Sequence, residues 1–122
     1  MSWNFSDDKP IYLQLMEQIQ LQIICGVYKA GEKLPSVRDI ASEASVNPNT
    51  MQKALTELER TGLVFSKRTS GRFITEDVQM IKDIRNDLAK DQITTFFKNM
   101  ERIGYTHEEI VELVKNISKE MK

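Results

Sequence analysis

Two short helical runs in succession, followed at once by a short basic hairpin, occupy residues Leu34 to Phe73, and that order leaves few folds open. The strongest punctuation is Asn47-Pro48. Asparagine is a preferred N-cap because its side-chain oxygen accepts from a free backbone N–H, and proline fits the first helical position, where its missing donor costs nothing. From that start Met51, Ala54, Leu55 and Leu58 fall on one face at helical spacing, and Gly62 supplies a C-cap. Upstream, Pro35 and Ser36 open a shorter helix with Val37, Ile40 and Ala41 apolar. The small-residue run Ser42–Ser45 reads as the turn into the next helix, making a helix-turn-helix corner. Downstream, Leu63–Lys67 and Arg72–Thr75 are rich in β-branched and aromatic residues, and Thr69-Ser70-Gly71 turns between them, with Gly71 near the tip. The expected fold is mainly α with a small β-hairpin: a winged helix-turn-helix domain over residues 1–75, followed by a two-helix dimerisation tail over 76–122.

The chemistry of these elements points to nucleic acid. Asn49, Thr50, Gln52 and Lys53 fall off the apolar face of the second helix, so its first turn offers amide, hydroxyl and ammonium groups. Asn and Gln can bond adenine edges bidentately, Thr and Lys can take phosphates or bases, and the positive helix end favours phosphate. Polar first turns are common in any protein, so this feature needs company. Arg38 can fork onto a guanine or a phosphate, or pair with Asp39 or Glu43. Between Thr61 and Thr75 stand three cations, Lys67, Arg68 and Arg72, and no acid, which suits an arm laid against a DNA backbone or minor groove. A winged helix used for protein assembly is the rival reading, and a purely cationic wing argues against it.

Residues 10–75 resemble the DNA-binding domain of the GntR family of bacterial transcription regulators. The resemblance rests on P-I-Y-L-Q-L (Pro10–Leu15), G-V-Y-K-A-G-E-K-L-P-S-V-R-D-I-A (Gly26–Ala41), V-N-P-N-T (Val46–Thr50), L-E-R-T-G-L (Leu58–Leu63) and G-R-F-I (Gly71–Ile74). It implies that Arg38, Asn49, Thr50, Gln52 and Gly71 contact operator DNA, with Ser36, Asn47 and Lys53 beside them and Arg68 and Arg72 on the wing. The family's wing resembles G-K-G-T-F, whereas this chain has Thr69-Ser70-Gly71-Arg72-Phe73, without the first glycine and the lysine. The short tail is similar to that of the YtrA-like subfamily, which implies a small dimeric repressor of its own operon, often of ABC transporter genes, on a palindromic operator.

The tail is too short for a domain that encloses a drug-sized ligand. Asp77 can cap a long helix carrying Met80, Ile81, Ile84, Leu88, Phe96, Phe97, Met100 and Ile103, its stripe interrupted at Lys90-Asp91-Gln92, and Gly104 closes it. Thr106 and Glu109 form a capping box for a second helix with Ile110, Val111, Leu113, Val114, Ile117 and Met121. Two such helices cannot hide their stripes on each other alone. The same pair from a second chain, across a two-fold axis, supplies the missing surface and suits palindromic DNA. The expected dimerisation residues are Ile81, Ile84, Leu88, Phe96, Phe97, Met100, Ile110, Leu113, Val114 and Ile117.

At the amino end Pro10 opens a helix whose Ile11, Tyr12, Leu15, Met16, Ile19 and Ile23 form a broad buried face ending at Cys25-Gly26, with Trp3 covering the core. That position makes Cys25 a packing residue. The net charge of −1 divides into nine cations against eight acids in residues 1–75 and eight against ten beyond, so the basic character is local to the wing. No run of about 18 apolar residues could span a membrane, and the expected location is the cytoplasm. One histidine, His107, without a Cys or second His at ligand spacing, and no phosphate-binding Gly loop or nucleophile motif, leave no expectation of catalysis, metal or cofactor.

Overall fold

A computed structural model describes residues 3–122, with the order α1 (Ile11–Ile24), α2 (Val37–Ala44), α3 (Pro48–Thr61), β1 (Val64–Lys67), β2 (Gly71–Ile74), α4 (Val78–Arg102) and α5 (His107–Glu120). The chain divides into two compact units after Ile84, within α4.

The first unit is built around the amphipathic faces of α1, α2 and α3. Leu15, Ile19 and Ile23 from α1, Ile40, Ala41 and Ala44 from α2, and Met51, Ala54, Leu55 and Leu58 from α3 are buried in one cluster with Leu34, Leu63, Val64 and Ile74. Each fully buried Leu or Ile contributes about 1.5–3 kcal/mol, so this cluster is what holds the corner together. Both sequence-read starts are observed. Ser36 Oγ accepts from the Asp39 N–H at 3.1 Å, and Asn47 Oδ1 accepts from the Asn49 N–H at 2.7 Å with Pro48 at the first helical position. The α2 helix runs further than the sequence suggests, because Ser42–Ala44 stay helical. The turn is made by Ser45 in the left-handed conformation (φ 57), and the Ser45 and Val46 N–H groups donate back to Ser42 and Ala41 carbonyls.

The hairpin pairs Val64 with Ile74 and Lys67 with Gly71. A third segment lies along its free edge. Lys33 bridges Phe73, the Leu34 N–H donates to the Arg72 carbonyl at 2.9 Å, and the Ile74 N–H donates to the Glu32 carbonyl at 2.9 Å. The wing is thereby tied to the segment that leads into α2.

The leader is strapped to this unit. Gln14 Nε2 donates to the carbonyls of Ser6 and Lys9, Trp3 and Phe5 pack against the core, and Trp3 Nε1 donates to Glu43 at 3.3 Å. Two expectations are corrected here. Ile11 is exposed, since it sits in the first turn of α1 ahead of the buried Leu15 row. Cys25 is exposed, one residue beyond α1, where the chain has already left the helix face. Met80, Ile81 and Ile84 are partly buried against the winged-helix core, so Ile81 and Ile84, two of the expected dimerisation residues, also pack within their own chain.

The second unit is a helical hairpin. Asp77 caps α4 at the Met80 N–H, and the helix runs unbroken through Lys90-Asp91-Gln92. Its end is closed by Gly104 at φ 99, with the Gly104 and Tyr105 N–H groups donating to Glu101 and Met100 carbonyls. The Thr106–Glu109 capping box starts α5 as expected. Ile110 is fully buried and Leu88, Phe97, Met100 and Leu113 are partly so, but Ile93, Phe96, Val111, Val114, Ile117 and Met121 remain exposed.

Candidate nucleic-acid interface

The core sets which side chains of α3 face outward. With Met51, Ala54, Leu55 and Leu58 turned inward, Asn49, Gln52, Lys53 and Thr56 are exposed and Thr50 is half-buried. Gln52 Nε2 approaches Thr56 Oγ1 at 3.5 Å, beyond a good hydrogen bond, so its amide is available. Lys53 Nζ lies 3.9 Å from the centre of the Tyr12 ring on α1, a cation–π contact that restrains the ammonium without neutralising it. Ser36 and Asn47 use their side-chain oxygens as caps. Arg38 is exposed in the first turn of α2 and, among the described residues, pairs with neither Asp39 nor Glu43.

The wing is less uniformly cationic than its own sequence suggests. Arg72 Nε donates to Glu59 Oε1 at 2.5 Å, and Ser66 Oγ donates to the same oxygen at 2.5 Å. Counting acids along the hairpin misses Glu59, which reaches across from α3. Burial is the largest single influence on the Glu59 carboxyl and pushes its pKa up. The hydrogen bonds from Ser66 and Arg72, with the Arg72 charge, outweigh it and hold the group below its usual 4.5. Phe65 and Phe73 stack with centroids 5.9 Å apart, and Lys67 Nζ sits 4.5 Å from the Phe73 centre. Arg68 is exposed at the turn and unpaired among the described residues.

Gly71 has φ +105, a conformation that L side chains rarely adopt. A groove runs between the start of α2 and the wing turn, lined by Lys33, Ser36, Asp39, Ser70, Gly71 and Arg72. Glu59 and Lys33 are the residues that sequence reasoning missed here. Glu59 bonds Arg72 and Lys33 bridges Phe73, each a partner distant in sequence, and the only local hint is that both residues stand inside the motifs that carry the family resemblance.

These outward donors on one helix, beside a tied hairpin, are the equipment of a winged helix-turn-helix reader of DNA. Residues 11–74 match the bacterial regulatory proteins of the gntR family. The chain belongs to the GntR family. It is 37% identical over 118 residues to the HTH-type transcriptional regulator YhcF of Bacillus subtilis, covering 97% of this chain and 98% of that protein. With the HTH-type transcriptional repressor YtrA of the same organism it shares 34% over 114 residues, 93% of this chain and 88% of that one, which puts it in the YtrA-like subfamily. Among solved structures, a GntR family transcriptional regulator from Listeria monocytogenes superimposes with a TM-score of 0.84 at 41% identity, covering 92% of this chain and 98% of that chain. The DNA-binding domain of AraR in complex with operator ORX1 aligns at TM-score 0.56 and 25% identity over 62% of this chain and 96% of its own.

GntR regulators of this kind are DNA-binding proteins rather than enzymes, and their fold is the one described above. Among the described residues of this GntR chain, no group of three His, Cys, Asp or Glu side chains could hold a metal, and no helix is long and apolar enough to cross a membrane. His107 is an exposed residue 3.2 Å from Glu101, in the tail rather than in the groove.

Proposed function

We propose that this chain is a dimeric, sequence-specific repressor acting in the cytoplasm on a palindromic operator, in its own operon, with ABC transporter genes as the target class suggested by the YtrA-like resemblance. The observation that carries the reading is the outward face of α3, where Asn49, Gln52 and Lys53 stand exposed on a helix whose opposite side is locked into the core. Asn49, Thr50, Gln52 and Arg38 read bases. Ser36, Asn47 and Lys53 flank them. Arg68, Gly71 and the guanidinium N–H groups that Arg72 keeps beside its Glu59 bond lie on the wing against the backbone. The tail joins two such units through Ile81, Ile84, Leu88, Phe96, Phe97, Met100, Leu113, Val114 and Ile117, around the buried Ile110. The operator complex of AraR supports the DNA assignment by analogy of fold.

A gel shift against the chain's own upstream DNA tests this. Gln52→Ala should cost about 1–3 kcal/mol on that DNA and far less on a random duplex, because a base contact is lost while phosphate contacts persist. Equal losses on both duplexes at one salt concentration would remove Gln52 from base reading.

A further inference from the structure

We infer that Lys33 supplies a DNA-phosphate contact at the wing tip, in place of the lysine that the wing turn itself lacks. The inference rests on the DNA-binding role proposed above and adds a residue to it. Ser70 and Gly71 form the tip, and no lysine stands in the turn from Arg68 to Ser70. Arg72 is drawn back toward α3 by Glu59, and Lys67 lies over the two phenylalanine rings. The tip therefore lacks a cation from β1 or β2 that is both outward and unengaged, leaving only Arg68 in the turn.

Lys33 reaches the tip from the third, edge segment. Its backbone bridges Phe73, which fixes the position of its Cα beside β2, and its side chain then runs across the face of Gly71. A β-carbon at Gly71 would stand 3.2 Å from Lys33 Cε and 3.9 Å from Nζ. The absent side chain at 71 is thus the channel along which the lysine lies. Lys33 is exposed, makes no ion pair among the described residues, and lines the same groove as Ser36, Ser70 and Gly71; Asp39 is the one acid lining it. With its backbone anchored by the bridge to Phe73 and its ammonium free of any carboxylate among the described residues, Lys33 is placed to neutralise one backbone phosphate without regard to base sequence.

The test is fluorescence anisotropy with the upstream duplex and with a random duplex, each titrated between about 50 and 200 mM salt, a range over which phosphate contacts change affinity steeply. Lys33→Gln should flatten the slope of log affinity against log salt by about 0.9 on both duplexes, with an unchanged circular dichroism spectrum. Lys33→Arg should keep the slope. Adding Ser70→Lys to Lys33→Gln should restore it, since the charge returns to the same tip from the other side. An unchanged slope in Lys33→Gln, a loss confined to the upstream duplex, or failure of the Ser70→Lys rescue would each overturn the assignment while the DNA-binding reading stands. If the unaltered chain binds neither duplex at low salt, the DNA-binding reading itself fails and takes this contact with it.

Discussion

In the winged-helix unit Leu15, Ile19, Ile40, Met51 and Leu58 are left with at most 1% of their surface exposed, whereas in the tail Phe96 keeps 41%, Ile117 45% and Met121 81%. Both regions were written with the same amphipathic period. The difference lies in how many directions each helix is approached from. α3 is enclosed by α1, α2 and the wing, and its apolar face is narrow enough for those neighbours to cover. The tail has only two helices, each with a broad stripe, and one helix can shield only part of another. Periodicity therefore tells which face of a helix is apolar, but the number of neighbours decides whether that face is closed within the chain.

The hardest blow to this contrast falls on the tail. Val114→Asp together with Ile117→Asp places two charges on its open face, and the proposed dimer should fall to monomers by light scattering. Affinity for the upstream DNA should then drop by about 10²–10⁴, the usual advantage of linking two binding modules. A dimer that survives both charges would mean that the open stripe is not the joining surface.

Next in size is the core itself. Leu55→Ala, at 1% exposure, should destabilise the winged-helix unit by about 2–5 kcal/mol in urea unfolding. Val111→Ala in the tail, at 44% exposure, should change the same midpoint by no more than about 0.5 kcal/mol. Comparable shifts from the two would erase the distinction between a closed region and an open one.

The smallest effect concerns acid. Glu59 is held below 4.5, so its bonds to Arg72 and Ser66 stabilise the folded state fully above the unfolded carboxylate's pKa and lose that contribution as pH falls through the lower folded value. The stability advantage of the unaltered chain over Glu59→Gln should be constant from pH 7 to about 5 and shrink below about 4.5. A difference that stays flat down to pH 3 would mean that the clasp between α3 and wing does not depend on the charge.

Much of the fold was legible because its signals are local. Asn47-Pro48, Ser36, Gly62, Gly104 and the Thr106–Glu109 box each act within a few residues of themselves, and each stands where the sequence puts it. What escaped depends on distant partners. The Arg72–Glu59 bond joins residues thirteen apart across two elements, and Lys33 meets Gly71 only because a stretch that reads as loop pairs with the hairpin edge. Ile81 and Ile84 read as one stripe with Phe96 and Met100, since nothing in the pattern marks where α4 leaves one unit for the other.

Cys25 has a practical consequence of its own. It is the chain's one cysteine and it points outward, so maleimide chemistry would attach a single fluorophore or spin label to every chain without a preparatory mutation. The same thiol is a hazard in air, because two chains joined through it give a band of dimer mass that owes nothing to the tail. A reductant separates the two: association through apolar helices persists in its presence, and a disulfide does not.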